Sequence, residues 1–123
     1  MARPATRGVL RTRAIAIARR AQAEGAFRVV PLAVLAEVYR GDASDAGVDR
    51  LFVTGVRRAG LDLRTVRLAG RLRSRAGIGS AVDAIVVATA VRLGGGVVAT
   101  SDPQDMRALA ADHSNVKVWS LDE

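Results

Sequence analysis

The sequence contains no cysteine. Disulfide bonds and thiolate zinc sites are therefore excluded, and the composition is compatible with a reducing cytosol. Aromatic side chains make up only 3% of the residues, although half of all residues are hydrophobic. The core must then be built from Val, Leu, Ile and Ala, as in layered α/β proteins with buried parallel strands.

Long apolar runs are also absent. No run approaches the roughly 20 residues that a membrane-spanning helix requires, and the N-terminal sequence MARPATRG lacks the apolar segment of a signal peptide. We therefore expect a cytoplasmic protein without a membrane partner. The sequence shows no internal repeat and no low-complexity linker, so we expect a single domain over residues 1–123, with residues 1–7 disordered.

Acidic residues are comparatively few. Twelve Asp and Glu residues oppose 19 Lys and Arg residues, which gives a formal net charge of +7. Such an excess favours polyanionic partners, either a nucleic acid or an acidic protein that covers the same surface. A high-GC genome produces the same arginine-rich composition, so no single arginine indicates a function.

Short apolar strands alternate with longer helical patterns along the chain, which is typical of a parallel α/β sheet. The sequence predicts helices over residues 8–24, 32–40, 45–58, 65–76, 84–91 and 102–112, and strands over residues 27–30, 61–63, 97–100 and 116–119. Pro31 is predicted at the start of the second helix, because its fixed φ and missing N–H suit the first helical position.

Asp83 is the only charged side chain between Arg75 and Arg92. The helix that follows it is apolar on nearly every face, and such a helix is normally buried. An unpaired carboxylate in the interior costs several kcal/mol, so Asp83 must be paired, bound to a metal or placed at a cleft. Stabilisation of the helix dipole is an alternative role for an acid in the first turn.

Three further acids are candidates for the same site. Asp102 follows the apolar strand VVAT, where parallel sheets form their crevice, although Asp before Pro is also an ordinary helix cap. Glu37 lies among apolar neighbours in the helix LAVLAEVYR, which predicts a position near the core, although a place at the helix edge would expose it; pairing with an arginine is its alternative role. Asp105, one turn beyond Asp102, is expected to be mainly solvated, and its alternative role is that of a metal ligand.

A group of carboxylates indicates a particular chemistry. Neighbouring carboxylates raise one another's pKa values, and a divalent cation removes the repulsion. Mg²⁺ and Mn²⁺ prefer oxygen ligands, and a bound ion can polarise a phosphodiester and lower the pKa of an attacking water. Thr100 and Ser101 could orient this water or an Asp102 oxygen. Acids, a divalent cation and a basic surface together describe a nuclease.

Three segments resemble the PIN-domain ribonucleases, in particular the VapC-type toxins: RVVPLAVLAEVYRG, IGSAVDAIVVATA and VVATSDPQDMRAL. The resemblance covers roughly residues 8–120 and keeps the family's order of motifs. It implies a three-layer α/β fold with a central parallel sheet flanked by helices, and a Mg²⁺- or Mn²⁺-dependent RNA endonuclease. It also implies a homodimer and a cognate antitoxin that occupies the acidic cleft.

The resemblance assigns roles to the four acids. By motif position, Glu37, Asp83 and Asp102 match catalytic acids that bind the metal, and Asp105 matches an accessory acid that some members carry. The family opens with an apolar strand that ends in an aspartate, whereas no acid precedes Glu24 here. We therefore expect the fold to lack its usual first strand, which leaves a gap between neighbouring strands.

The missing strand also predicts low stability and weak or absent RNA cleavage. Three explanations of the missing strand stay open: the reading frame is shortened, the protein is a degenerate copy, or another segment or chain fills the gap. The alternative function is a non-catalytic PIN-like module that binds an antitoxin or nucleic acid without cutting it. A third hypothesis is an unrelated α/β domain in which the acids serve only as helix caps.

Overall fold

The computed structural model describes residues 28–121. The predicted helix over 8–24 and the predicted disorder of residues 1–7 lie outside this range. The described elements are, in chain order, β1 (Val29–Pro31), α1 (Leu32–Val38), α2 (Asp45–Val53), β2 (Arg57–Ala59), α3 (Leu63–Ala76), α4 (Ala81–Arg92), β3 (Gly96–Thr100), α5 (Pro103–Leu109) and β4 (Val116–Ser120).

The strands of the described range form two separate parallel pairs. β1 lies beside β2, with Val30 opposite Arg58, and β3 lies beside β4, with Val98 opposite Val118. The predicted α/β class with parallel strands is confirmed. No hydrogen-bonded ladder joins the two pairs within residues 28–121. The predicted absence of a first strand concerns the chain before Glu24, which lies outside the described residues, so it stays a prediction.

One hydrophobic core lies between α3, α4, β3, α5 and β4. Its fully buried centre is α4, in which Ala84, Val87 and Ala88 are 0% exposed. The other buried members are Ala69, Leu72, Val98, Met106, Leu109, Ala110 and Val116. α4 also contacts α1 and β1. The prediction that the helix after Asp83 is buried is therefore confirmed, and this helix connects the two strand pairs.

α3 is an amphipathic helix with well-defined ends. The Asp62 side chain accepts a hydrogen bond of 2.8 Å from the Thr65 N–H, and Gly77 ends the helix with a φ of 68°. The predicted strand over 61–63 is wrong, because Asp62 caps α3 and Leu63 is its first residue. No single described helix is long and apolar enough to cross a membrane; α3 and α4 meet these criteria only together, across a 115° bend.

The predicted helix over 45–58 is wrong at its C-terminal end. α2 ends at Val53, and Gly55 turns the chain with a φ of 97°. Residues 57–59 then form β2, where the Arg57 N–H donates a 2.8 Å hydrogen bond to the Arg28 carbonyl. The sequence RRA carries no apolar alternation, so this strand depends on its pairing with β1 and not on its own composition.

Three other predicted boundaries need correction. Pro31 is the last residue of β1 and directly precedes α1, and α1 ends at Val38 rather than at residue 40. The Tyr39 N–H still donates a 2.9 Å hydrogen bond to the Leu35 carbonyl, but the Tyr39 backbone is extended. α5 ends at Leu109 instead of continuing to residue 112. β3 and β4 agree with the predicted strands to within one residue at each end.

Candidate metal centre

Three aspartates at the starts of two neighbouring helices form an acidic cluster. Asp83 lies in the first turn of α4, Asp105 lies in the first turn of α5, and Asp102 directly precedes α5. One carboxylate oxygen from each residue lies within 4.8 Å of the other two. Asp83 and Asp105 are half-buried and Asp102 is exposed, so the cluster remains accessible from solvent.

The start of α4 holds Asp83 in place. The Ser80 hydroxyl oxygen accepts a 3.0 Å hydrogen bond from the Asp83 N–H, which satisfies one of the N–H groups that a helix start leaves unpaired. Gly79, with a φ of 98°, precedes this cap. A Cβ atom at Gly79 would lie 2.8 Å from Leu109 Cδ1, so only glycine lets the turn pack closely against α5. The α4 start is therefore fixed next to the helix that carries Asp105.

The end of β3 fixes Asp102. Thr100 is buried, and its hydroxyl oxygen accepts a 2.9 Å hydrogen bond from the Asp102 N–H. The Thr100 carbonyl accepts a further hydrogen bond of 2.8 Å from the Leu121 N–H, beyond β4. Thr100 thus positions the main chain of Asp102, and its predicted role in orienting a water or an Asp102 oxygen stays a prediction. Ser101, between the two, is exposed.

The Asp102 carboxylate does not act as a helix cap. It precedes α5, but its side chain makes no capping hydrogen bond to that helix. Helix capping therefore does not explain this acid, whereas Ser80 supplies the cap of α4 and leaves the Asp83 carboxylate free of that role. Capping is thus excluded as the role of Asp102, whereas Asp83 lies in the first turn of α4, where its charge also stabilises the helix dipole.

The pKa of the Asp105 carboxyl reflects its burial and the charges of the cluster. Desolvation by burial raises the pKa of the Asp105 carboxyl above its ordinary value, and the neighbouring charge of Asp102, a hydrogen bond with Asp102 and the charge of Asp83 raise the pKa further. Each of these effects opposes ionisation of a carboxyl group that has carboxylate neighbours. A divalent cation bound between the three carboxylates would offset the repulsion between their charges and favour their ionised form.

The ligand set fits a hard divalent cation. Mg²⁺ lies about 2.0–2.1 Å from each ligand, so its ligand oxygens are at most about 4.2 Å apart. Carboxylate oxygens within 4.8 Å of one another need only small movements to reach that geometry. The cluster contains oxygen ligands only, which favours Mg²⁺ or Mn²⁺ over zinc. Three carboxylates also leave coordination positions for water and for substrate oxygens.

Glu37 is not part of the cluster formed by the described acids. It is exposed, so the prediction that it lies near the core is wrong. The buried residue of α1 is Leu35, and side chains two positions apart on a helix point in directions about 200° apart. α1 contacts α4, so Glu37 lies on an element adjacent to the helix of Asp83. Its role as a metal ligand stays a prediction.

Asp105 departs from expectation in the opposite direction. We expected a mainly solvated side chain, but it is half-buried and belongs to the cluster. The signal for this position was in the sequence, because Asp102 and Asp105 are three residues apart at a helix start. Residues at this spacing lie on the same side of a helix. Asp105 thus belongs to the acidic cluster with Asp83 and Asp102.

Comparison with known proteins agrees with the sequence motifs. A family model described as PIN domain matches residues 8–112. The matched range contains Glu37 and all three clustered aspartates, and it covers most of the chain. A search of curated proteins finds no match.

Proposed function

The chain belongs to the PIN domain family, and from this premise we propose that it is a Mg²⁺- or Mn²⁺-dependent RNA endonuclease of the VapC toxin type. Family membership indicates a nuclease-like module that binds nucleic acid. The observation that supports cation-dependent chemistry is the acidic cluster of Asp83, Asp102 and Asp105, with oxygens within 4.8 Å of one another. The identity of the ion, the RNA substrate and the toxin role belong to the proposal.

Each part of the cluster would have a distinct task. Asp83, Asp102 and Asp105 would hold the ion, which when bound polarises a phosphodiester and lowers the pKa of water. The Ser80 and Thr100 hydroxyls keep the main chain of two of these acids in position. The exposed hydroxyl of Ser101, next to Asp102, would donate a hydrogen bond to a phosphate oxygen of the RNA.

Glu37 stays in the proposal as an acid at the edge of the site. Its helix contacts α4, but its carboxylate is outside the cluster. We therefore propose that it assists the cation through its charge, while the three aspartates supply the ligands. Glu37→Gln should then reduce cleavage by less than a substitution of any clustered aspartate.

The proposal is tested by cleavage of end-labelled RNA with Mg²⁺, with Mn²⁺ and with EDTA. We expect cleavage only with a cation, and a loss on the order of 100-fold in Asp83→Asn and in Asp102→Asn. The matched control is Asp49→Asn, which removes one carboxylate from the exposed surface of α2. Cleavage that persists in EDTA, or that is equal in Asp83→Asn and Asp49→Asn, would contradict the proposal.

The partners that accompany the toxin role are a cognate antitoxin and a second copy of the chain. The support for an antitoxin is the exposed side of the acidic cluster together with the net charge of +7, since a partner with both basic and acidic residues could cover both surfaces. Sedimentation of the purified chain at several concentrations tests the homodimer. A single monomeric species over this concentration range would contradict it.

A second candidate function is a non-catalytic module that binds RNA or an antitoxin. It is favoured by the position of Glu37 outside the cluster, which leaves three clustered acids among the described residues. RNA binding without cleavage in the presence of Mn²⁺, to the same extent in the native protein and in Asp83→Asn, would identify this function.

A further inference from the structure

α3 carries a row of exposed arginines. The arginine row consists of Arg64, Arg67, Arg71 and Arg75, which are spaced by three, four and four residues and are all exposed. At 100° per residue, this spacing places the four side chains within an arc of about 80° on the helix surface. Successive members of the row are about 4.5–6 Å apart along the helix axis, because the rise is about 1.5 Å per residue.

The two central members of the arginine row have no carboxylate partner among the described residues. Arg75 forms an ion pair with Asp112 at one end of the row. At the other end Arg64 lies near Asp62, a carboxylate that is already bound by Arg92. Arg67 and Arg71 are left as adjacent like charges, and such pairs at this spacing destabilise a helix. A bound polyanion would remove that repulsion.

The surface beside the row favours a nucleic acid over an acidic protein. Gly70 and Ser74 border the row, and the large apolar side chains exposed on the same helix are Leu63 and Val66, neither of them aromatic. The centre of a protein interface is usually richer in aromatic and apolar residues. Guanidinium groups form paired hydrogen bonds to phosphate oxygens. A row that is one cation wide and regular in spacing therefore suits the backbone of a single strand.

We propose that the arginine row binds the phosphate backbone of a nucleic-acid strand, with Arg67 and Arg71 as its principal contacts. This inference rests on the proposed function and deepens it, because it names the surface that would hold RNA for the acidic cluster. Arg75, which is paired with Asp112, has a smaller role.

The position of α3 connects the row with the acidic cluster. α3 leads through residues 77–80 into α4, whose first turn carries Asp83, and α3 also contacts α5, which carries Asp105. An open cleft of about 490 Å³ lies between the C-terminal half of α3 and this turn, lined by Gly70, Arg73, Ser74, Gly77, Ile78 and Gly79. A strand bound along the row would pass this cleft on its way to Asp83.

The test compares two double variants of equal net charge. Arg67→Gln/Arg71→Gln removes the centre of the row, and Arg40→Gln/Arg50→Gln removes two exposed arginines outside α3. Binding of a fluorescently labelled single-stranded RNA is measured by anisotropy in EDTA at several salt concentrations. We expect about tenfold weaker binding for the row variant, and a salt dependence lowered by about 1.4 in log–log slope, because each phosphate contact of a single strand contributes about 0.7.

The control variant should weaken binding by no more than about twofold. Arg67→Lys/Arg71→Lys, which keeps both charges, should restore most of the salt dependence. Equal losses in the two glutamine variants, or binding of a polyglutamate peptide that depends on the row while RNA binding does not, would overturn the proposal. EDTA prevents cation-dependent cleavage, so this assay measures binding alone. RNA binding through the row by a protein that does not cleave RNA with Mg²⁺ or Mn²⁺ would contradict the proposed function and support this inference.

Discussion

The described chain consists of two regions that differ in packing. The core region, residues 63–120, contains every member of the hydrophobic core. The N-terminal region, residues 29–59, contributes only Leu35 and Val56 to the buried hydrophobic residues. α2 has no buried residue, and Val53 is 86% exposed. The three clustered aspartates lie in the well-packed core region, whereas Glu37, outside the cluster, lies in the loosely packed N-terminal region.

Besides the β1–β2 ladder, several side-chain contacts of the N-terminal region lie at its surface. The Tyr39 hydroxyl donates a hydrogen bond to the Asp49 carboxylate, and Asp45 accepts hydrogen bonds from two main-chain N–H groups of the preceding turn. The Arg58 guanidinium lies 3.8 Å from the centre of the Phe52 ring. Exposed polar contacts of this kind contribute little to stability. We therefore expect this region to open locally before the core region unfolds.

The largest expected difference is between two leucine truncations. Leu109→Ala should lower the free energy of unfolding by about 2–5 kcal/mol, because this side chain is 1% exposed in the core. Leu51→Ala should cost less than about 1 kcal/mol, because Leu51 is 43% exposed on α2. Urea denaturation measures both values. Equal losses would show that the two regions do not differ in packing.

A smaller effect is expected at two serines that precede helices. Ser80→Ala should destabilise the protein by about 1 kcal/mol, since its hydroxyl caps α4, and it should also weaken Mn²⁺ binding by loosening Asp83. Ser44→Ala should cost less, because the Ser44 side chain makes no capping hydrogen bond to α2. Thermal unfolding and calorimetric titration check the two effects. An unchanged Mn²⁺ affinity in Ser80→Ala would argue against the positioning role.

The smallest predicted effect depends on pH. Because the pKa of Asp105 is raised in the folded protein, the folded state binds this proton more strongly than the unfolded chain does. Without metal, stability therefore falls as the pH rises from the ordinary pKa of Asp, about 4, through the raised value. Asp105→Asn should raise the melting temperature at pH 7, and this advantage should disappear below about pH 4.

Saturating Mn²⁺ provides the control for this prediction. With the cation bound, the native protein should be more stable than Asp105→Asn, because the variant lacks one ligand and gains less from binding. Melting curves at several pH values, with and without Mn²⁺, measure both effects. A difference between the two proteins that stays the same at every pH would contradict the raised pKa.

The elements of the core region could be predicted from the sequence because their own composition determines them. The segment between Arg75 and Arg92 has a single charge, which indicated both a buried helix and a site at Asp83. The apolar strand VVAT likewise placed Asp102 at a strand end. These conclusions required no knowledge of distant contacts. The structure confirms the buried helix and the strand that ends before Asp102, while the site at Asp83 stays a prediction.

The errors in the N-terminal region have a common physical cause. β2 forms from the charged sequence RRA, and only its pairing with β1 makes it a strand. α1 is seven residues long and almost wholly apolar, so its sequence does not indicate which side faces the core, and the burial of Glu37 could not be determined. In the core region, Asp105 was among the candidate metal ligands, but its partial burial was not expected. The three-residue spacing from Asp102 was the signal for it.

Calorimetric titration with Mn²⁺ tests most directly whether the acidic cluster is a metal site carried by the core region. We predict that the native protein binds Mn²⁺, that Asp83→Asn and Asp102→Asn each weaken binding at least about tenfold, and that Glu37→Gln weakens it less than about threefold. The absence of Mn²⁺ binding to the native protein, or a loss in Glu37→Gln as large as that in Asp83→Asn, would contradict this account.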